Sequence, residues 1–301
     1  MTTAPPTHWP DTPAGPAGAV LPALFELIDD AALFPPGNAA MPAALAGHRA
    51  HHAGPYGDVV GRFLCPASRI PELRAVLDIG ADRHHPLAGA APIRVAVVAD
   101  TGAAGLPRAM ADVAADPRLV LEAVEVSLPA TASGSGRAAL IEAIHRVLAA
   151  VPTALPAYVE LPLGDSWEVV LDVLSGAGRG AKLRTGGATA AAFPTEAQVA
   201  AVLTACSPRQ VPLKCTAGLH RAVRHRDPQT GFEHHGFLNL LVAAARARAE
   251  LDPMPALSER DGPRLAAEIP ALPADVRKLL VGFGSCSIDE PVADLRALGL
   301  L

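Results

Sequence analysis

Lysine is almost missing from this sequence. Of 25 basic residues, only Lys182, Lys214 and Lys278 are lysine and the other 22 are arginine. Aromatic residues make up 4% and charged residues 18%, and the four cysteines, Cys65, Cys206, Cys215 and Cys286, show no CxxC spacing. Cysteines so far apart exclude a zinc knuckle and a secreted disulfide framework, and they read as reduced thiols. The arginines are scattered and the net charge is −5, which excludes a basic footprint for nucleic acid or an anionic membrane. No apolar run reaches the roughly 18 residues of a membrane span, and the N-terminus lacks the basic start and compact apolar stretch of a leader. The first candidate strand is not followed by GxGxxG, and neither GxxxxGKS nor GxxxxGKT occurs, so a nucleotide phosphate cradle has no support. What these shortages leave is a cytosolic protein whose partner is a small molecule, with no cofactor and no bound metal expected. Oligomeric state stays open, a homodimer being one option.

Half of the 301 residues are hydrophobic, enough for one large core, and a single barrel with its helices takes about 250 residues. Residues 1–20, rich in Pro, Ala, Gly and Thr without periodicity, read as a flexible arm. The remainder, 21–301, reads as one catalytic domain. Within it, short apolar runs alternate with Ala/Leu/Arg stretches of helical period, the pattern of βα units around a parallel sheet. The strand candidates are 24–29, 59–64, 93–99, 122–128, 157–162, 180–184, 211–216 and 281–284. Helical stretches such as 71–81, 107–116, 136–151, 166–177, 195–206 and 236–251 lie between them, apolar at i, i+3, i+4 steps. Eight strands at steps of roughly 25 to 35 residues predict an α/β protein with a (β/α)8 TIM barrel. The long gap before the last strand, with its Pro-rich segment 252–275, predicts an insertion or extra short helices. An open doubly wound sheet is the competing architecture.

Because arginine is used wherever a generic positive charge would serve, a retained lysine points to something arginine cannot supply. A guanidinium stays protonated, whereas a lysine amine can lose its proton and attack a carbonyl. In a barrel, chemistry sits at the C-terminal strand ends, and residues two apart on a strand share a face. That rule puts Lys182 with Arg184 on the sixth strand and Lys214 with Thr216 on the seventh. Glu125 with Ser127, Glu160, and Asp29 or Asp30 come from the fourth, fifth and first strands to balance them. Positive neighbours at Lys214 and Arg184 are expected to favour the uncharged amine at Lys182, the form that makes a Schiff base.

Several segments resemble the deoxyribose-phosphate aldolases and their class I aldolase relatives, in the same chain order. Leu27-Ile28-Asp29-Asp30-Ala31-Ala32-Leu33-Phe34-Pro35 is similar to that family's opening Ile-Asp-His-Thr-Leu-Leu-Lys-Pro stretch. Phe63-Leu64-Cys65-Pro66 looks like its second strand, Ala123-Val124-Glu125-Val126 resembles the strand of the proton-relay aspartate, and Val159-Glu160 resembles its Leu-Glu-Thr stretch. Lys182-Leu183-Arg184-Thr185-Gly186 is similar to Lys-Thr-Ser-Thr-Gly, which implies Lys182 as the Schiff-base lysine. Lys214-Cys215-Thr216-Ala217-Gly218-Leu219 resembles Lys-Pro-Ala-Gly-Gly-Val, which implies Lys214 as the lysine that tunes the first. Phe283-Gly284-Ser285-Cys286-Ser287 is similar to the closing Phe-Gly-Ala-Ser-Ser, implying phosphate binding by backbone amides around Gly284, Ser285 and Ser287. The resemblance implies a (β/α)8 barrel, a carbon–carbon lyase, and Lys182, Lys214 and Glu125 as its catalytic set.

Departures from the family pattern shape the substrate expected. Asp30 stands where the family has histidine, Phe34 where it has lysine, Glu125 where it has aspartate, and Arg184 where it has serine. The phosphate turn Gly-Gly-Val-Arg becomes Ala217-Gly218-Leu219-His220, followed by Arg221, Arg224, His225, Arg226, His234 and His235. A guanidinium at Arg184 offers a fork for a carboxylate or phosphate. The expected substrate is therefore a different carbonyl compound with an anionic group, bound by Arg184 and this loop. Two rivals remain: a metal-dependent lyase using the 220–235 histidines, although no HExxH occurs, and a barrel that binds a ligand without turning it over.

Overall fold

Valine, isoleucine and leucine recur in short runs, and β-branched side chains suit a pleated strand buried on both faces. The computed structural model describes residues 20–79, 91–128, 136–164 and 166–301. Its eight barrel strands are β1 (Ile28–Asp30), β2 (Val60–Pro66), β3 (Ile93–Val98), β4 (Leu119–Val126), β5 (Ala157–Glu160), β6 (Gly180–Arg184), β7 (Leu213–Thr216) and β8 (Leu280–Ser285). Each pairs in parallel with its neighbours, and β8 closes on β1 with Ile28 opposite Phe283. The sheet is a closed (β/α)8 barrel, so the open doubly wound alternative is excluded. All eight strands overlap the expected segments; β1 begins four residues late, and β4 begins three residues early. The late start of β1 has a local cause. Residues 21–27 turn, with the amides of Leu24 and Leu27 donating to the carbonyls of Leu21 and Leu24, and Glu26 has φ 47°.

Most of the proposed N-terminal arm, residues 1–19, lies outside the described residues. Val20 packs, half-buried, against the core. The expected helices are present at Ile70–Ile79, Gly102–Ala114, Arg137–Ala149, Trp167–Gly176, Glu196–Arg209 and Phe237–Arg248. Thr195 opens one of them with a capping box, its hydroxyl accepting from the Gln198 amide at 3.2 Å while Gln198 Oε1 accepts from the Thr195 amide at 2.8 Å. The Pro-rich gap holds the short helices Met254–Ser258, Gly262–Glu268 and Val276–Leu279. Among the described residues, no helix is long and apolar enough to cross a membrane.

Strand alternation divides the apolar residues into two groups. Val95, Val97, Val124, Val126, Leu183, Cys215 and Phe283 belong to the large core between sheet and helices. Ala31, Leu64, Ala96, Ala123 and Tyr158 form a small separate cluster inside the barrel. Each of the five lies two residues from a charged one, Asp29, Arg62, Arg94, Glu125 or Glu160, so the interior is only partly apolar. Tyr158 needs Gly180 beside it, because a Cβ there would stand 2.5 Å from the tyrosine ring.

One polar side chain ties the outer shell to the loop above β7. Asn239 is fully buried on the helix Phe237–Arg248. Its Oδ1 accepts from the Arg224 amide at 2.7 Å, and its Nδ2 donates to the carbonyls of Ala256 at 2.7 Å and Glu259 at 2.8 Å. Asn239→Leu would leave one amide and two carbonyls without their partner in the interior. A loss of about 3 kcal/mol in stability is expected. Urea unfolding checks it, and a midpoint equal to that of the native chain would show that water or other groups replace the amide.

Candidate active site

The barrel register brings the ionisable residues into adjoining rows. Glu160 lies opposite Lys182, Lys182 opposite Lys214, and Arg184 opposite Thr216. Across the β7–β8 seam, Lys214 faces Gly282 and Thr216 faces Gly284, while Asp29 pairs with Gly284 across the next seam. Glycine on β8 keeps this sector open. A Cβ at Gly284 would stand 3.1 Å from Leu64 Cδ1 and 3.5 Å from Thr216 Oγ1.

Side chains from these rows meet in alternating sign. The Lys214 ammonium donates to Asp29 Oδ2 and to Glu125 Oε1. The other Glu125 oxygen is 3.5 Å from Lys182 Nζ, which is 3.0 Å from Glu160 Oε2. Glu160 in turn accepts from Arg184 Nε at 3.1 Å and from Ser127 Oγ at 2.8 Å. The row continues toward the other end of the barrel. Asp29 Oδ2 is 3.6 Å from Arg62 Nη1, Arg62 Nε is 3.0 Å from Glu122, and Arg94 Nη1 is 3.7 Å from Glu122 and 2.7 Å from Glu26. Five carboxylates and five cations thus alternate through the barrel interior, from Glu26 to Arg184.

Pairing decides the protonation states. Burial alone would raise the Glu125 carboxyl, but Lys214 and Lys182 outweigh it and hold its pKa below the ordinary value. Glu160 is lowered for the same reason: burial opposes, and Lys182 and Arg184 prevail. Lys214 is the mirror case, with burial working against the ammonium and Asp29 and Glu125 raising its pKa above the ordinary value. Burial pushes Arg277 down to about 10, partly offset by Asp29. Its guanidinium donates to the carbonyls of Ala23, Glu26 and Val281. The expected setting of Lys182 needs correction. Its polar contacts are the carboxylates of Glu125 and Glu160, so the cluster around it is charge-balanced rather than cationic.

Other expected residues fall elsewhere. Asp30 turns away from the lysines, because adjacent strand residues point to opposite faces. Its carboxylate meets His48 Nδ1 at 3.1 Å and the Ala32 amide at 3.0 Å. Thr216 and Gly218 line the β7 end; Gly218 has φ 74°, and a Cβ on the facing Gly186 would come within 2.9 Å of the Gly218 Cα. Ser285 is buried and its hydroxyl donates to the Ser287 carbonyl at 2.6 Å. His220 contacts Glu290 and Cys286 instead of the lysines. Lys278 is exposed on a short helix.

Of the loop histidines, His225 and His234 lie ring against ring with centroids 5.1 Å apart. His225 and His234 bond the carbonyls of Val223 and Gly218, and buried His235 bonds that of Pro194 at 2.7 Å. Among the described residues, no group of three or more His, Cys, Asp or Glu is arranged to hold a metal ion. Residues missed by the sequence reading are Glu26, Arg62, Arg94, Glu122 and Arg277, all toward the strand N-terminal ends. The signal for two of them was present: Arg62 and Arg94 interrupt otherwise apolar strands. No protein-family model and no curated protein matches this chain.

Two stability effects follow from the paired charges. Lys214→Met leaves Asp29 and Glu125 buried without their cation and is expected to cost about 3–5 kcal/mol in urea unfolding. The lowered pKa values of Glu125 and Glu160 add stability that is full above the ordinary 4.5 and lost as pH falls through the lowered values. The raised pKa of Lys214 adds stability that is full below 10.5 and lost as pH rises through the raised value. Glu160→Gln should therefore flatten the acid limb of the stability curve and leave the alkaline limb in place. An unchanged acid limb would show that Glu160 titrates alike in folded and unfolded chains.

Proposed function

We propose that this chain is a class I, Schiff-base aldolase-like lyase acting on a small carbonyl compound with an anionic group. The observation that carries the reading is the position of Glu125 between two lysine amines from adjacent barrel strands. The sequence resemblance to the deoxyribose-phosphate aldolases, with Lys182, Lys214 and Glu125 in matching order, supports it.

The two amines divide the work by their surroundings. Lys214 has a fully buried side chain and is bonded to two carboxylates, so it serves as a fixed ammonium. Lys182 is held more loosely, 3.5 Å from Glu125 and 3.0 Å from Glu160, and through Glu160 it adjoins Arg184, whose side chain reaches solvent. Glu160 takes a proton from Lys182 and the free amine adds to the carbonyl carbon. The proton on the nitrogen of the adduct passes by way of Glu125 to its oxygen, and Glu160 returns the proton it took to that hydroxyl, which leaves as water and gives the iminium. Ionised Glu125 then takes the proton of the hydroxyl on the next carbon, and the carbon–carbon bond one atom from the iminium breaks, releasing that carbon as a carbonyl compound while the bond's electrons flow into the iminium to give an enamine. Protonation of that enamine and hydrolysis return Lys182. Arg184, with its side chain 42% exposed beside Glu160, is the group placed to receive the substrate anion.

Borohydride trapping with a panel of small aldehydes and keto acids, read by intact mass, tests the reading. A reduced adduct on the native chain is expected, absent from Lys182→Arg, and turnover in Lys214→Arg should fall by about 100-fold or more. An adduct that persists in Lys182→Arg moves the nucleophile elsewhere. No adduct with any carbonyl supports the ligand-binding barrel, and activity lost to a chelator supports the metal-dependent lyase.

A further inference from the structure

A second reactive cluster lies at the C-terminal ends of β7 and β8, separate from the lysines. Cys286 follows β8 directly, and its Sγ stands 3.6 Å from His220 Nε2. The other ring nitrogen, His220 Nδ1, is 2.7 Å from Glu290 Oε2 at the start of the helix Asp289–Ala297. Glu290 is a carboxylate acceptor, so it fixes the proton on Nδ1 and leaves Nε2 as the base facing the thiol. This is the order of a nucleophile, its base and the group that orients the base.

The three other cysteines lack any such setting. Cys65, Cys206 and Cys215 are buried, and burial pushes each thiol up to about 12. Cys286 is partly exposed. The His220 imidazole is pushed up to about 9, first by its hydrogen bond to Cys286 and then, against burial, by the charges of Cys286 and Glu290. Nearby charges are otherwise paired: Asp294 with Arg221 at 3.0 Å, and Asp289 with His51 at 3.3 Å. None of them competes for the imidazole. The 34–38 loop supports the cysteine from the other side, where a Cβ on Gly37 would stand 3.1 Å from the Cys286 Cβ.

We propose that Cys286, His220 and Glu290 form a thiol-exchange site that takes the disulfide of a small thiol. His220 accepts the Cys286 proton, and the thiolate attacks one sulfur of the disulfide. The old sulfur–sulfur bond breaks as the new one forms, and the released thiolate takes the proton back from His220. One thiol is oxidised to a mixed disulfide and one half of the incoming disulfide is reduced to a thiol, so no further oxidant is needed. The adduct would sit at the β8 end, beside the mouth through which a barrel substrate enters.

The test uses the full chain with neutral hydroxyethyl disulfide at pH 7, read by intact mass and peptide mapping. One mixed disulfide, on Cys286, is expected before any modification of Cys65, Cys206 or Cys215. His220→Gln should slow its formation by about tenfold, since an ordinary thiol is only a few per cent ionised at this pH. Glu290→Gln should slow it less, because the oriented base is retained. First reaction at another cysteine overturns the proposal, as does a native rate in folded His220→Gln. Should His220→Gln not fold, the half-exposed Glu290 side chain makes Glu290→Gln the deciding variant, and a native rate there overturns the proposal equally. The lysines take no part in this chemistry, so failure of the carbonyl trapping experiment leaves the result unaffected.

Discussion

Lys214 is held by Asp29 on one side and Glu125 on the other, with no surface of its own left to water. An isolated ion in that position would cost several kcal/mol, and so would either carboxylate alone. Each is tolerable only because the others are there. The same condition applies outward in both directions, since Asp29 also meets Arg62 and Glu125 also meets Lys182. An alternating row is the arrangement in which every interior charge has an opposite neighbour, and it ends where side chains reach solvent, at Glu26 and Arg184.

The neighbouring sequence is constrained by that row. Long charged side chains need space inside an eight-stranded barrel whose interior is just wide enough for side chains. Alanine at positions 96 and 123 and glycine at 180, 282 and 284 supply it. On β4 the register shifts between the pair Val95–Leu121 and the pair Ala96–Ala123, leaving Glu122 as an extra residue. The bulge lets Glu122 reach Arg62 and Arg94 while Glu125, three residues on, reaches the lysines. Regular alternation could not place both inside, because residues three apart on a strand face opposite ways.

That bulge marks a limit of what the sequence makes legible. Strand positions, closure into a barrel and the meeting of Lys182, Lys214, Glu125, Glu160 and Asp29 all follow from apolar runs and period-two alternation. Asp29 and Asp30 are the same residue type side by side, so only the register of β1 with β8 decides which one faces the lysines. Arg62 and Arg94 stood out in apolar strands, but a reading confined to C-terminal strand ends passes over them. Asn239 lies at the start of the helical stretch 236–251, but its burial depends on the loop at Arg224 and the short helix at 254–258, which no local pattern announces. Cys286 lies 66 residues from His220, and the contact exists only because β7 and β8 are neighbours in the closed sheet.

Charge balance also separates the two lysines more sharply than their sequence positions do. Lys214 is the nearest cation to both of its buried carboxylates, and without its charge Asp29 would keep only Arg62 at 3.6 Å and Glu125 only Lys182 at 3.5 Å as opposite charges. Lys182 shares Glu125 with Lys214 and Glu160 with Arg184 and Ser127. Each of its carboxylates keeps another donor when Lys182 becomes neutral. Those remaining partners, Lys214 on Glu125 and Arg184 at 3.1 Å with Ser127 at 2.8 Å on Glu160, are closer than the ones Lys214 would leave behind, so of the two amines Lys182 is the one whose loss of charge the row absorbs at less cost.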